Sequence, residues 1–159
     1  MEYRPFEITS ITATNLKDVN FFSKMRVYVI VSIVGDSSTS QETPTSKRHG
    51  TSPAWDFPMR FFVEESKLQQ SWLRLVFKLR CSQRIGDDED IEEVHVPLKK
   101  LFDDAEGRKE IPAGHNYQVM TPAGKPRGGL SFLHSFGETI SVKRVSKKVE
   151  EVLIFNLEF

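Results

Sequence analysis

Along most of this chain apolar and polar residues alternate with a period of two, and the places where the alternation slips or stops mark the elements. Phe6 and Ile8 share one phase, but Ile11 and Ala13 fall on the other, which predicts a first strand carrying a bulge. Polar residues then dominate from Asn15 to Met25, a predicted loop. Val27 to Val34 is apolar or β-branched on both faces and too short for a long helix, so it predicts a central strand. Gly35 to Pro53 is rich in Ser, Thr, Gly and Pro, with a short polar strand expected over Gln41 to Lys47. Further strands are predicted over Phe57 to Val63 and through the alternating Leu73, Leu75, Phe77 and Leu79. An acidic stretch, Asp87 to Glu93, separates these from a strand at Val94 to Leu98. A helical turn or two follows Pro97, and Tyr117 to Met120 and Leu130 to Phe136 complete the set. Seven or eight short strands with turn signals between them predict an all-β, antiparallel sandwich occupying residues 1–140.

Residues 141–159 form an amphipathic tail in which two periods compete. Val145, Val149 and Val152 fit one helix face, whereas Leu153, Phe155, Leu157 and Phe159 alternate as a strand does. A final element packed on the domain and a segment that binds a membrane or a partner both stay open.

Composition narrows the function classes. Twelve Phe among 159 residues supply a large core, and the 22 acidic and 22 basic residues balance, which argues against nucleic acid as an electrostatic partner. A single cysteine, Cys81, permits neither an internal disulfide nor a zinc cluster. No apolar signal region or second-position glycine is present at the start, so the expectation is a cytoplasmic protein able to sit peripherally on a membrane. Catalytic motifs such as Gly-x-Ser-x-Gly, a Walker loop or His-Glu-x-x-His are missing, and the four histidines are scattered. A non-enzyme is expected, with no cofactor. The sequence is silent on oligomeric state.

Several ordered pieces carry a resemblance: Ile11-Thr-Ala-Thr-Asn-Leu-Lys-Asp-Val-Asn20, Lys24-Met-Arg-Val-Tyr28, Gly50-Thr-Ser-Pro-Ala-Trp55, Phe61-Phe-Val63, Glu93-Val-His-Val-Pro-Leu98, Tyr117-Gln-Val119 and Gly124-Lys-Pro-Arg-Gly128. Over residues 6–137 the chain resembles the C2 domain, and within it the small plant C2 proteins of the cold-regulated, stress-response type. The resemblance implies an eight-stranded antiparallel sandwich with its functional loops at one end, and the course of the first strand into the Asn15–Met25 loop favours the type II strand order. It also implies a docking module for membrane phospholipid or for a larger membrane-associated protein in stress and defence signalling. Trp55 is expected to anchor the core, and Pro53 to set an extended entry into its strand.

Calcium requires about six to eight oxygen ligands, mostly carboxylates. In similar C2 domains, aspartates of the first and third loops supply them. Aligned on Tyr28, the first-loop positions fall on Asn20 and Arg26, and aligned on Leu75-Val-Phe77 two third-loop positions fall near Lys78 and Arg80. Two like unit charges 4 Å apart repel by about 4 kcal/mol at an effective dielectric near 20, and a divalent ion doubles that. No metal is therefore expected. The weaker alternative is a remodelled cation site using Asp18, Asn20, Asp87, Asp88 and Asp90.

The resemblance instead puts Phe21 and Phe22 mid-loop at the lipid-facing end, as an apolar contact or packed into the domain, with Lys24 and Arg26 beside them. Lys47 and Arg48 offer a second basic patch. The expected function is calcium-independent docking through these residues. Calcium-dependent phospholipid binding at a remodelled acidic site, and a protein adaptor without lipid binding, are the alternatives.

Overall fold

A computed structural model describes residues 1–20, 23–35, 39–105 and 126–142, together with the short strand 117–120. Ten strands and two short helices follow in the order β1 (Glu2–Thr14), β2 (Val27–Val34), β3 (Ser40–Glu42), β4 (Ala54–Trp55), β5 (Met59–Glu64), α1 (Glu65–Gln69), β6 (Arg74–Cys81), β7 (Glu89–Pro97), α2 (Leu98–Ala105), β8 (Tyr117–Met120), β9 (Pro126–Phe136) and β10 (Ile140–Ser141). Two of the ten, β4 and β10, are two-residue pairings against β1, which is why the expected count was eight. Every pairing is antiparallel.

One layer runs β3-β2-β6-β7 and the other β5-β1-β9-β8. The layers meet at one corner through a single residue pair, Glu93 with Met120. At the opposite corner the Gln41 side-chain amide donates to the Arg60 carbonyl at 2.7 Å, joining β3 to β5 without a ladder. Residues 143–159, and with them the competing readings of the tail, lie outside the described residues. The described chain continues through β10, and its end is tied back to the start: the Met1 amino group donates to the Val142 carbonyl, and the Val142 amide to the Met1 carbonyl.

The pattern read from the sequence becomes the core. In β1 the register shifts between Ile8 and Ser10, and that bulge lets Phe6, Ile8, Ile11 and Ala13 all point inward. Val27, Val29, Val31 and Ile33 of β2 lie beside Cys81, Leu79, Phe77 and Leu75 of the neighbouring β6, and together they line one wall of the core. Phe77 packs on Phe132 at 4.7 Å between ring centroids, and Phe6 on Phe136 at 4.8 Å. Each such ring contributes on the order of 1.5–3 kcal/mol by burial. Trp55 is buried, and its indole N–H donates to the Val27 carbonyl at 3.3 Å, so the expected anchor links the β4 crossing to β2.

Three local expectations differ from the structure. The short polar strand sits at Ser40–Glu42 rather than Gln41–Lys47. Pro44 interrupts the pairing, and the chain then follows β2 by isolated bonds, Thr43 N–H to the Val29 carbonyl and Ser46 N–H to the Val27 carbonyl. The acidic stretch is mostly strand, since β7 begins at Glu89 opposite Cys81. Cations across the ladder make this possible: Arg80 pairs with Asp90 and Lys78 with Glu93. The five-residue helix α1, with Leu68 buried beneath it, was not anticipated.

Candidate docking site at the loop end

Three loops converge at the end of the sandwich where β1 and β6 finish. The first, residues 15–26, is fixed at both ends by apolar side chains, since Leu16 and Met25 are fully buried. Asn15 adopts a left-handed conformation (φ 50°), which Asn tolerates better than most residues. The Asp18 carboxylate accepts the Asn20 amide at 2.9 Å, an Asx turn, and the Asn20 side chain donates to Ser23 Oγ at 3.0 Å. With Met25 pinned inward, Lys24 and Arg26 on either side of it are exposed.

Backbone bonds stitch the other two loops to the first. Gly50 N–H donates to the Met25 carbonyl, Leu16 N–H to the Thr51 carbonyl, and Ser82 N–H to the Arg26 carbonyl, each within 2.8–2.9 Å. The third loop, residues 82–88, is held by a compact polar network. Tyr28 O–H donates to Asp88 Oδ2 at 2.6 Å, Gln83 N–H to Asp88 Oδ1 at 3.1 Å, and Arg80 reaches Asp90 Oδ1 at 2.7 Å, the Asp88 carbonyl at 3.0 Å and the Tyr28 hydroxyl at 3.2 Å. Burial, then the bond to Asp88, push the Tyr28 phenol up to about 12. The Tyr28 bond, the Gln83 amide and the Arg80 charge hold the Asp88 carboxyl below the usual range.

Three of the four acids of the predicted weak cation site, all but Asp87, are thus engaged elsewhere. Asp18 caps a turn, Asp88 takes Tyr28 and Gln83, and Asp90 takes Arg80. Among the described residues no group of three or more His, Cys, Asp or Glu side chains gathers to hold a metal ion. Glu92, in the same stretch, is turned into the domain, where burial pushes its carboxyl up despite the Lys17 amide and the charges of Arg127 and Lys17. Glu93 meets Lys78 and His95. Asp87 and Glu89 are the acids of this stretch left without a described bond or ion pair.

Between the first and third loops lies a cleft of about 470 Å³ walled by Lys24, Arg26, Arg84, His49 and the neutral Asn20, Ser23, Ser82 and Gln83, with no carboxylate among its described lining residues. A second cleft of about 350 Å³ adjoins it, sharing Lys24 and His49 and adding Arg48, Asp18 and the turn Gly50–Ser52. No ion pair involving Lys24, Arg26 or Arg84 occurs among the described residues. On the rim of the first cleft Ile85 is 93% exposed, next to Gly86 at φ 84°.

Of the predicted contact residues, Lys24, Arg26 and Arg48 line these clefts, while Lys47 is exposed on the same turn and lines neither. Phe21 and Phe22 lie outside the described residues. The sequence reading missed Arg84 and Ile85; a lone aliphatic between Arg84 and Gly86 in a polar stretch was the available signal. Cys81 is fully buried, and burial pushes its thiol up, away from reactivity.

Comparison with known proteins agrees with this architecture. The C2 domain family matches residues 5–113. A protein SRC2 homolog of Arabidopsis thaliana is 38% identical over 87% of this chain and 42% of its own length, and protein SRC2 of Glycine max is 40% identical over 88% and 48%. The chain spans less than half the length of these curated relatives. A solved C2 domain of plant extended synaptotagmin 1 superposes with a TM-score of 0.64 at 15% identity, covering 87% of this chain and 96% of that one, a likeness of fold alone. No helix among the described residues is long and apolar enough to cross a membrane.

Proposed function

The chain belongs to the C2 domain family, and we propose that it is a non-catalytic cytoplasmic module that docks its loop end on anionic membrane without calcium. One observation carries the reading: the cleft between the first and third loops is walled by Lys24, Arg26 and Arg84, with no acid among its described lining residues, beside the exposed Ile85. In the calcium-dependent mode, a bound cation bridges acidic loops to acidic headgroups. Here the side chains themselves supply the positive charge, and Asp88 and Asp90 are engaged by Tyr28 and Arg80.

Each cation beside an anionic surface contributes about 1 kcal/mol, and burying Ile85 about 1.5–3 kcal/mol. The total, roughly 5 kcal/mol, corresponds to a dissociation constant on the order of 0.1 mM, a weak and reversible attachment. Plant stress signalling is the setting implied by the resemblance.

Sedimentation with phosphatidylcholine vesicles containing phosphatidylserine, in excess chelator, tests the proposal. Wild type should pellet, Ile85→Asp should lose most binding, and added calcium should change little. Absence of pelleting in chelator with recovery in calcium would overturn calcium independence. No pelleting in either condition would leave docking on a membrane-associated protein.

A further inference from the structure

We infer that residues 143–159 of this chain dock in a groove on the outer face of the β5-β1-β9 sheet, with Val145, Val149 and Val152 against its apolar wall. The inference stands apart from the membrane reading, because it concerns another face of the sandwich and its occupant is the chain's own continuation.

The alternation along β1 and β5 supplies the first argument. Phe6 and Ile8 of β1, and Met59, Phe61 and Val63 of β5, belong to the core, so the residues between them face outward. That outward set holds Glu7 and Arg60, as a water-facing side should, but also Pro5 and Phe62, paired across the ladder. Phe62 is 6% exposed and yet is no member of the core cluster, which is core-like burial on the outward side of the sheet. Ile140 of β10, in register with Tyr3, extends the same surface. With Ser135 these residues line a groove of about 310 Å³. Apolar walls in such a furrow gain by burial only when a third layer covers them.

The occupant follows from where the described chain stops. Ile140 lines the groove, and Val142 is fastened two residues on by its reciprocal bonds with Met1, each 2.8 Å. Residue 143 therefore starts at the edge of the groove, and closing so short a connection costs little entropy. From β10 across β1 to β5 is two strand spacings, about 10 Å. The seven-residue step from Val142 to Val149 covers about 10 Å even when coiled as a helix, so the valines can reach Phe62. Charge agrees as well. Lys147 and Lys148 precede Glu150 and Glu151, and the polar rim of the groove is the partly exposed Glu7–Arg60 pair at 3.4 Å, which offers each sign a counterpart. An anionic membrane would attract the lysines but repel the glutamates that follow them.

The test uses the full chain with Ser135→Cys, a position lining the groove, carrying a nitroxide; Cys81 is fully buried and stays unlabelled. Amide resonances of residues 145–152 should lose most of their intensity in the paramagnetic form and regain it once the nitroxide is reduced. Val149→Asp combined with Val152→Asp should restore that intensity and lower the thermal midpoint by about 5–10 °C. Undiminished signals from these residues beside the label would overturn the docking. Loss of signal only in mixtures, with label and isotope on different chains, would give the groove to a second copy and refute the intramolecular contact. Loss that persists in the double variant would rule out the valine face as the contact.

Discussion

Replacing Gly128 by alanine should destabilise the domain and displace the first loop together. Gly128 lies in β9 at φ 73°, and a Cβ there would strike the main-chain carbonyls of Thr14 and Asn15, the latter at 2.6 Å. A left-handed conformation costs an alanine about 1–2 kcal/mol. The obstacle is backbone, so no rotamer change relieves it, and forced displacement in a packed region adds about 1–3 kcal/mol. A stiffer unfolded chain returns about 0.4–1 kcal/mol. The net loss of about 2–4 kcal/mol converts to a fall in melting temperature of roughly 5–15 °C for a domain of this size. Gly86→Ala supplies the control, since Gly86 has φ 84° but nothing within 4 Å of the added Cβ. It isolates the conformational cost, and the gap between the two variants measures the clash. Circular dichroism melts of the three proteins suffice. A Gly128→Ala midpoint within ~2 °C of Gly86→Ala would refute the reasoning.

Two further outcomes follow from the core and the buried acid. Trp55→Ala removes a buried indole and its bond to the Val27 carbonyl, and should cost about 3–5 kcal/mol, read as a lower urea midpoint with an unchanged slope. Glu92 has its folded pKa raised by burial, so the native state holds its proton to higher pH than the unfolded chain does. That contribution is fully present below the ordinary carboxylate range and is lost as pH rises through the raised value. Glu92→Gln should therefore melt higher than wild type at neutral pH and match it in acid; equal midpoints at neutral pH would contradict the assignment.

Legibility in the sequence followed how local each signal was. β2 and β6 were visible because inward residues recur every second position, and the β1 bulge because its apolar phase slips once, between Ile8 and Ile11. The start of β7 was hidden: Asp90 and Glu93 look like a solvated loop until Arg80 and Lys78 are known to lie opposite. Helix α1 is too short for its single buried Leu68 to show a period. At the site, Lys24 and Arg26 could be read because the resemblance puts them in the first loop beside Phe21 and Phe22. Arg84 and Ile85 offered only the signal of a lone aliphatic in a polar stretch, because their place at the cleft depends on the third loop meeting the first through the bond from Ser82 to Arg26, a contact between segments far apart in the chain.

The network of Arg80, Tyr28 and Asp88 has a kinetic consequence. A loop tied down by its own side chains has met its ordering entropy during folding, so a surface that captures it pays none. Encounter is then closer to collision between preformed bodies, and its rate is governed by long-range attraction. On the proposed docking, capture should slow as ionic strength rises and the field of the cations is screened over about 10 Å, while release should report the short-range fit.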